Sequence, residues 1–269
     1  MPKLLHAADL QAHCAHILIA CGSSPAEADQ VAANLVLANL SGHDSHGVGM
    51  APRYVDAVLE GGLKPNTGVR TVLDTGTLLT LDGQRGYGQI VGAQAMALGM
   101  ARARQHGSCI MTLANAHHLG RIGHFAEMAV AQGLVAMHFV NVLSRPVVAP
   151  YGGGDGRFGT NPCCIGVPLA GNEPFVLDFA TSRVAQGKMR VAYNEGRQAE
   201  PGTLIVTLAP LVPPRLKFAA EVVPRQVRPV PQLTAPADDT ATVDAPVPLT
   251  IYGESANVQF RFDRTRLDF

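Results

Sequence analysis

The sequence predicts an α/β fold on three observations. Helical and strand patterns alternate from about residue 71 to residue 193;. Helix-start and helix-stop signals bracket the predicted helices. Clusters of polar residues follow directly on predicted strands, which is where α/β folds gather their sites.

Taken in order, a first helix is expected over Ala7–Ala20. Ser24-Pro25-Ala26-Glu27 reads as a capping box with Pro at the first helical position;. The helix it opens carries apolar residues at Val31, Leu35, Leu37 and Leu40. A third helix, Val48–Glu60, should stop at Gly61-Gly62;. Together these form an N-terminal helical region, residues 1–70. The segment Thr71–Leu81 is β-rich. Gly88–Gln105 is an Ala- and Met-rich helix ended by Gly107, Cys109–Leu113 a strand, Gly123–Gln132 a helix and Leu134–Val140 a strand. A Gly-rich loop covers Gly152–Pro162. Phe175–Phe179 is a short strand, and Ser182–Tyr193 a helix with Ser182 placed to cap it;.

Composition narrows the function classes. Apolar residues make up 47% and charged residues 16%, as in globular rather than disordered proteins;. Lys plus Arg and Asp plus Glu are both 21, so the basic footprint of a general nucleic-acid binder is missing;. The apolar runs are too short for a membrane span, and MPKLLHAADLQAH lacks the apolar core of a secretory signal;. The five Cys show no metal-ligand spacing and read as reduced thiols of a cytoplasmic protein;.

Composition also breaks near Leu204–Val206. Of 28 Gly, 27 lie before residue 205, while the last 65 residues hold nine of the 19 Pro. This stretch, 205–269, has too much Pro for helices or central strands and is expected to be extended or poorly ordered. Its closing residues, IYGESANVQFRFDRTRLDF, have the alternation of a hairpin.

Several motifs could carry chemistry. Gly86-Tyr87-Gly88-Gln89-Ile90-Val91-Gly92 follows a strand and opens a helix. Its GxGxxxG spacing, with no acidic partner about 20 residues on, departs from the dinucleotide fingerprint. It reads either as an anion site or as small residues packing a helix. Asp44-Ser45-His46-Gly47 lies between two helices, where His46 could serve as proton donor or the segment could simply cap a helix;. Arg53 is seven residues on, two turns along one helical face, and could grip a carboxylate beside His46. Asn115-Ala116-His117-His118-Leu119-Gly120-Arg121 follows a strand, so its His pair and Arg could supply a general acid and an anion clamp;. No further ligands suggest a metal. Thr160, in Gly159-Thr160-Asn161-Pro162, and Asp178-Phe179-Ala180-Thr181-Ser182 could touch a ribose or phosphate, or could be turn chemistry;. Cys163-Cys164 reads as buried strand.

Together, GHDSHGVGMAPRYV, GYGQIVGAQAM, NAHHLGRIGHFAEMA, APYGGGDGRFGTNP and VLDFATSRVAQGKMRVA resemble the NAD(P)-dependent malate/L-lactate dehydrogenase family over about residues 1–204. This family, unrelated to the Rossmann lactate dehydrogenases, includes ureidoglycolate, sulfolactate and hydroxycarboxylate B dehydrogenases and piperideine-2-carboxylate reductase. SHGVGMAPRY is most similar to the hydroxycarboxylate branch. The resemblance implies a non-Rossmann nicotinamide-binding domain, residues 71–204, a homodimer, and hydride transfer between NAD or NADP and a 2-hydroxy acid. It implies that His118 exchanges the substrate proton with a pKa near working pH. It places Ser45 and His46 at nicotinamide and substrate, and Asp178, Phe179 and Ala180, with Ser144 and Thr160, against the cofactor. The substrate carboxylate falls to Arg53 or Arg121.

The segment after PGTLI departs from the family, which continues for roughly another hundred Gly- and Lys-rich residues. A reading-frame shift or truncation near Ile205 is expected there, and a non-catalytic remnant of such a dehydrogenase is the alternative function.

Overall fold

The computed structural model describes residues 5–143 and 146–204, with the backbone of 246–251 and 254–259. The chain divides into two units, Met1–Val222 and Val223–Phe269.

The first unit begins with α1 (Ala7–Ala20) and α2 (Pro25–Leu40) packed side by side. Ser24 caps α2 through its hydroxyl, which accepts from Glu27 N at 3.3 Å. The reciprocal arm of the expected capping box is redirected. The Glu27 carboxylate accepts instead from Asn66 N at 2.8 and 2.9 Å. The Asn66 side chain in turn receives Ser24 N and donates to Gly22 O, at 2.7 and 2.8 Å. Asn66 sits at φ +57°, a left-handed conformation that Asn tolerates better than most side chains;. One turn residue thus ties the start of α2 to the chain about 40 positions later.

The third helix is shorter than its pattern suggested. Asp44–His46 and Val48–Met50 are 3₁₀ turns, and the α-helix, α3 (Ala51–Leu59), starts only where Pro52 can occupy its first turn;. Leu18, Val31, Leu35, Tyr54, Leu63 and Tyr87 are fully or almost fully buried between these helices.

The β-rich stretch resolves into a hairpin, β1 (Arg70–Asp74) and β2 (Leu78–Asp82), because Thr75-Gly76 turns the chain. Then α4 (Gly88–His106) crosses over to β3 (Ile110–Ala114), which pairs parallel to β2. Gly107 ends α4 at φ +84°;. A second sheet follows α5 (Gly123–Val130), with β4 (Ala136–Phe139), β5 (Cys163–Val167) and β6 (Phe175–Phe179) all antiparallel. Cys164 is fully buried against α5, as its strand reading implied, while Cys163 is half-buried. The last helix, α6, spans Gln186–Asn194. Ser182 does not cap it: the hydroxyl donates to Val184 O at 2.9 Å, and the helix starts four residues later.

The second unit holds a hairpin of β7 (Pro246–Ile251) and β8 (Glu254–Gln259) separated by two residues. Alternation had placed the hairpin in IYGESANVQFRFDRTRLDF, from Ile251 onward; β8 falls in that segment, whereas its partner β7 lies in PVPLTI and meets the segment only at Ile251. Residues 205–245, with the expected frame shift and extended tail, lie outside the described residues, as does Ser144.

Candidate active site

The two parallel strands deliver the site. Beyond β2, Gly83 N donates to Ala114 O and Arg85 N to Asn115 O, both at 2.7 Å, and His117 N donates to Gly86 O at 3.0 Å. Asp82, at the end of β2, holds this crossing together. Its carboxylate accepts from Arg70, from Gln84 N and from Asn115 Nδ2, and these bonds pull its pKa down to about 2. Asn115 can then turn at φ +53° and project His117 and His118 across α3.

The glycines of GYGQIVG let α4 come close. A Cβ on Gly86 would lie 2.7 Å from Thr67 O, and one on Gly92 would lie 2.6 Å from the Phe125 ring. On Gly88 it would overlap the His118 carbonyl and Leu119 Cα. Packing of small residues, one of the two readings of this motif, accounts for all three positions.

Four side chains form a continuous hydrogen-bonded chain. Gln89 Nε2 donates to the Tyr54 hydroxyl at 2.6 Å. That hydroxyl lies 2.8 Å from His118 Nδ1, and His118 Nε2 lies 3.2 Å from His46 Nδ1. The two imidazoles stack 5.2 Å apart at 17°. Gln89 and Tyr54 are buried, whereas His46 and His118 are each only partly covered. His46 reaches the pair from a 3₁₀ turn whose Ser45 is buried under Gly187, so closely that a Cβ there would overlap it. Arg190 of α6 lies over the same turn and donates to Ser45 O at 3.3 Å.

Burial and the neighbouring positive groups lower the pKa of both histidines. His118 is driven down to about 3, chiefly by desolvation and then by His46, His117 and Arg190. His46 is also lowered by burial, with His43 and Arg190 adding to the shift and Asp178 opposing it. The expected near-neutral pKa of His118 is therefore corrected: the imidazole is neutral at pH 7. Its folded pKa lies below the unfolded value of about 6.5, so this stability is fully present above pH 6.5 and is lost as pH falls from there toward 3;. The urea midpoint should drop across that window, and less steeply in His118→Gln. Equal slopes would show that burial of His118 is not what couples pH to stability.

Arg53 does not share the His46 pocket. The 3₁₀ break at Gly47 undoes the two-turn spacing, and the Arg53 guanidinium, 58% exposed, lies 3.5 Å from Glu60. Arg121 is 7% exposed and already engaged, donating twice to Glu127 at 2.7 and 2.5 Å. Asp178, at the end of β6, accepts from Gly123 N at 2.7 Å at the start of α5. Thr160 O accepts from Thr181, and Phe179 and Ala180 are half-buried beside it in sequence. Phe139, Asn141, Asn161, Cys163 and Thr181 line a cavity of about 330 Å³ next to this segment. Among the described residues no cluster of His, Cys, Asp or Glu could hold a metal, and no helix is long and apolar enough to cross a membrane.

The sequence profile of the family described as Malate/L-lactate dehydrogenase matches residues 5–207. The chain belongs to this family. It is 50% identical over 184 residues to hydroxycarboxylate dehydrogenase B of Escherichia coli K12, covering 68% of this chain and 51% of that protein. It is 44% identical over 191 residues to an L-lactate dehydrogenase of Cupriavidus necator, covering 70% and 55%. The solved malate dehydrogenase of Pyrococcus horikoshii superposes with a TM-score of 0.66 at 36% identity, over 70% of this chain and 53% of that one. The chain thus spans about half the length of the malate/L-lactate dehydrogenase relatives it matches.

Tyr54, Gln89 and Arg190 were missed by sequence reasoning. Tyr54 sits in the APRYV segment, one position beyond Arg53, but its inward direction depends on where α3 begins.

Proposed function

We propose that this chain handles the substrate and its proton in a nicotinamide-dependent 2-hydroxy acid oxidoreductase. The observation that carries this is the neutral His46–His118 pair, hydrogen-bonded at 3.2 Å at the C-terminal edge of the β2–β3 pair. A neutral imidazole is the competent base for a hydroxyl proton, and so suits oxidation of an alcohol. In reduction, the carboxylate of the bound oxo acid beside His118 would raise its pKa and favour the protonated form.

His118 exchanges the proton with the substrate oxygen. His46, braced by Ser45, orients substrate or nicotinamide. Arg190 takes the substrate carboxylate: its charge is felt by both histidines, whereas Arg121 is committed to Glu127 and Arg53 faces Glu60. The cavity beside Thr181 has side-chain amides, from Asn141 and Asn161, suited to a carboxamide ring and ribose hydroxyls, with an apolar wall from Phe139;. NAD or NADP held there, with Thr160, Phe179 and Ala180, would supply the hydride chemistry. The Asp178 charge, felt by both His46 and His138, links this segment to the histidine pair. The helical region (residues 1–70) and the α/β region (residues 71–204) act as one substrate and cofactor unit, in a homodimer.

A panel of malate, lactate, 2-hydroxyglutarate and aromatic 2-hydroxy acids with NAD and NADP tests this reading. At least one pair should turn over, and that cofactor should raise the melting temperature. Arg190→Gln should raise KM more than it lowers kcat. Absence of both turnover and cofactor stabilisation across the whole panel would sink this reading and favour the non-catalytic remnant.

A further inference from the structure

The side of His118 turned away from His46 is closed by Tyr54, and behind Tyr54 by Gln89. We propose that Gln89 and Tyr54 are positioning residues that set the tautomer of His118, holding its proton on Nε2, the nitrogen that faces His46. The inference deepens the proposed function and rests on it for its meaning in turnover.

The Tyr54 hydroxyl has one proton to give and two lone pairs. Gln89 Nε2 donates into one lone pair at 2.6 Å. The hydroxyl's second neighbour is His118 Nδ1 at 2.8 Å. Tyr54 is fully buried, so a hydroxyl proton without an acceptor there would cost the full desolvation penalty;. With Nε2 of the Gln89 amide toward Tyr54, the hydroxyl proton points at Nδ1 and Nδ1 is the bare nitrogen; Gln89 Oε1, on the other side, has no partner among the described residues. The imidazole hydrogen is left on Nε2, where it donates to His46 Nδ1. His46 then carries its own hydrogen on Nε2. Each link fixes the next, beginning from a glutamine on the first turn of α4 and ending at the partly exposed pair.

The packing shows why this direction is set from behind. Gln89 is 1% exposed, and Gly88 beside it lets α4 touch the His118 backbone. Side chain and main chain of α4 thus fix the same imidazole from two sides. The consequence is polarity. With the hydrogen on Nε2 directed at His46 Nδ1, a hydroxyl proton that arrives at His118 Nε2 displaces that hydrogen onto His46 Nδ1 and leaves the pair with one positive charge. Among the described residues the charged groups acting on the imidazole are His46, His117 and Arg190, all basic, and no carboxylate among them competes with Tyr54 to choose the tautomer.

Long-range ¹H–¹⁵N spectra of the full chain labelled with ¹⁵N-histidine test this directly, with His118 assigned by loss of its signals in His118→Gln. At neutral pH, Nδ1 should resonate as unprotonated nitrogen and Nε2 as protonated. In Tyr54→Phe the Nδ1 signal should move toward the protonated pattern. Tyr54 stabilises the neutral ring, so its removal should also raise the His118 titration midpoint. On the substrate found by the panel, Tyr54→Phe should lower kcat about tenfold with little change in KM, the loss of about one hydrogen bond. A protonated Nδ1 in the unaltered chain, or an unchanged ¹⁵N pattern in folded Tyr54→Phe, would overturn the proposal. If Tyr54→Phe does not fold, the unaltered chain's spectrum decides alone. Full turnover in His118→Ala with the expected ¹⁵N pattern would separate the two ideas: the functional reading fails and the tautomer assignment stands.

Discussion

His118→Ala should lower turnover by roughly two to four orders of magnitude, the usual contribution of a positioned acid or base. The loss should fall on kcat and kcat/KM alike, because the proton moves only in the transition state. Cofactor affinity should survive, since the cavity proposed for the cofactor is lined by residues 139–141, 161–163 and 181 and not by His118. Stability at low pH should improve in the variant, because a desolvated, hydrogen-bonded neutral imidazole no longer opposes folding as the unfolded chain takes up its proton;. Turnover within a few fold of the unaltered chain would remove His118 from the reaction.

Gly88→Ala should damage both stability and turnover without changing any chemical group in the site. The new methyl would overlap the His118 carbonyl and Leu119 Cα, which are backbone atoms and cannot swing aside. Either α4 retreats or the His118 loop moves. Overpacking of this kind costs about 1–3 kcal/mol, and a shift near 1 Å in a catalytic group can cost about 10²-fold in rate. Gly62→Ala is the control, since its Cβ meets only an ordinary contact at 3.7 Å with Ala57 O. Urea unfolding and turnover measured together decide the matter. If Gly88→Ala matches Gly62→Ala in both, the close approach of α4 does not fix the loop.

Signals that act over a few residues were legible in the sequence. The limits of α1 and β6, the Ser24 cap and the Gly107 stop all rest on local chemistry, and the structure has them where the residues indicated. Errors arose where a distant group takes over a local one. Glu27 should close a capping box, but Asn66 supplies two bonds through one amide. Ser182 could cap α6, but a neighbouring carbonyl takes its hydroxyl. Arg53 and His46 share a helical face only if the helix is unbroken, and Gly47 breaks it. The histidines could be picked out because they lie in polar clusters beside strand ends. Tyr54 and Gln89 could not, because a buried tyrosine and glutamine look like ordinary helix residues until the fold brings them together. Charge pairing of Arg121 with Glu127, six positions on, was likewise invisible without the turn that starts α5.

The contact of α6 with the Ser45 turn bears on the order in which the chain assembles. Tyr54, Gln89 and His118 lie on segments separated by at most 72 positions from everything in their chain of bonds, and β2, α4 and β3 are consecutive. Arg190 meets Ser45 across 145 positions. Loop closure grows costlier with separation, though slowly, and contacts between distant positions tend to form late. During synthesis the histidine pair can meet as soon as His118 has emerged, while the cation over it arrives only after another 72 residues. Folding followed by pulsed hydrogen exchange would then show protection at Tyr54 and Gln89 ahead of protection at Ser45 and His46.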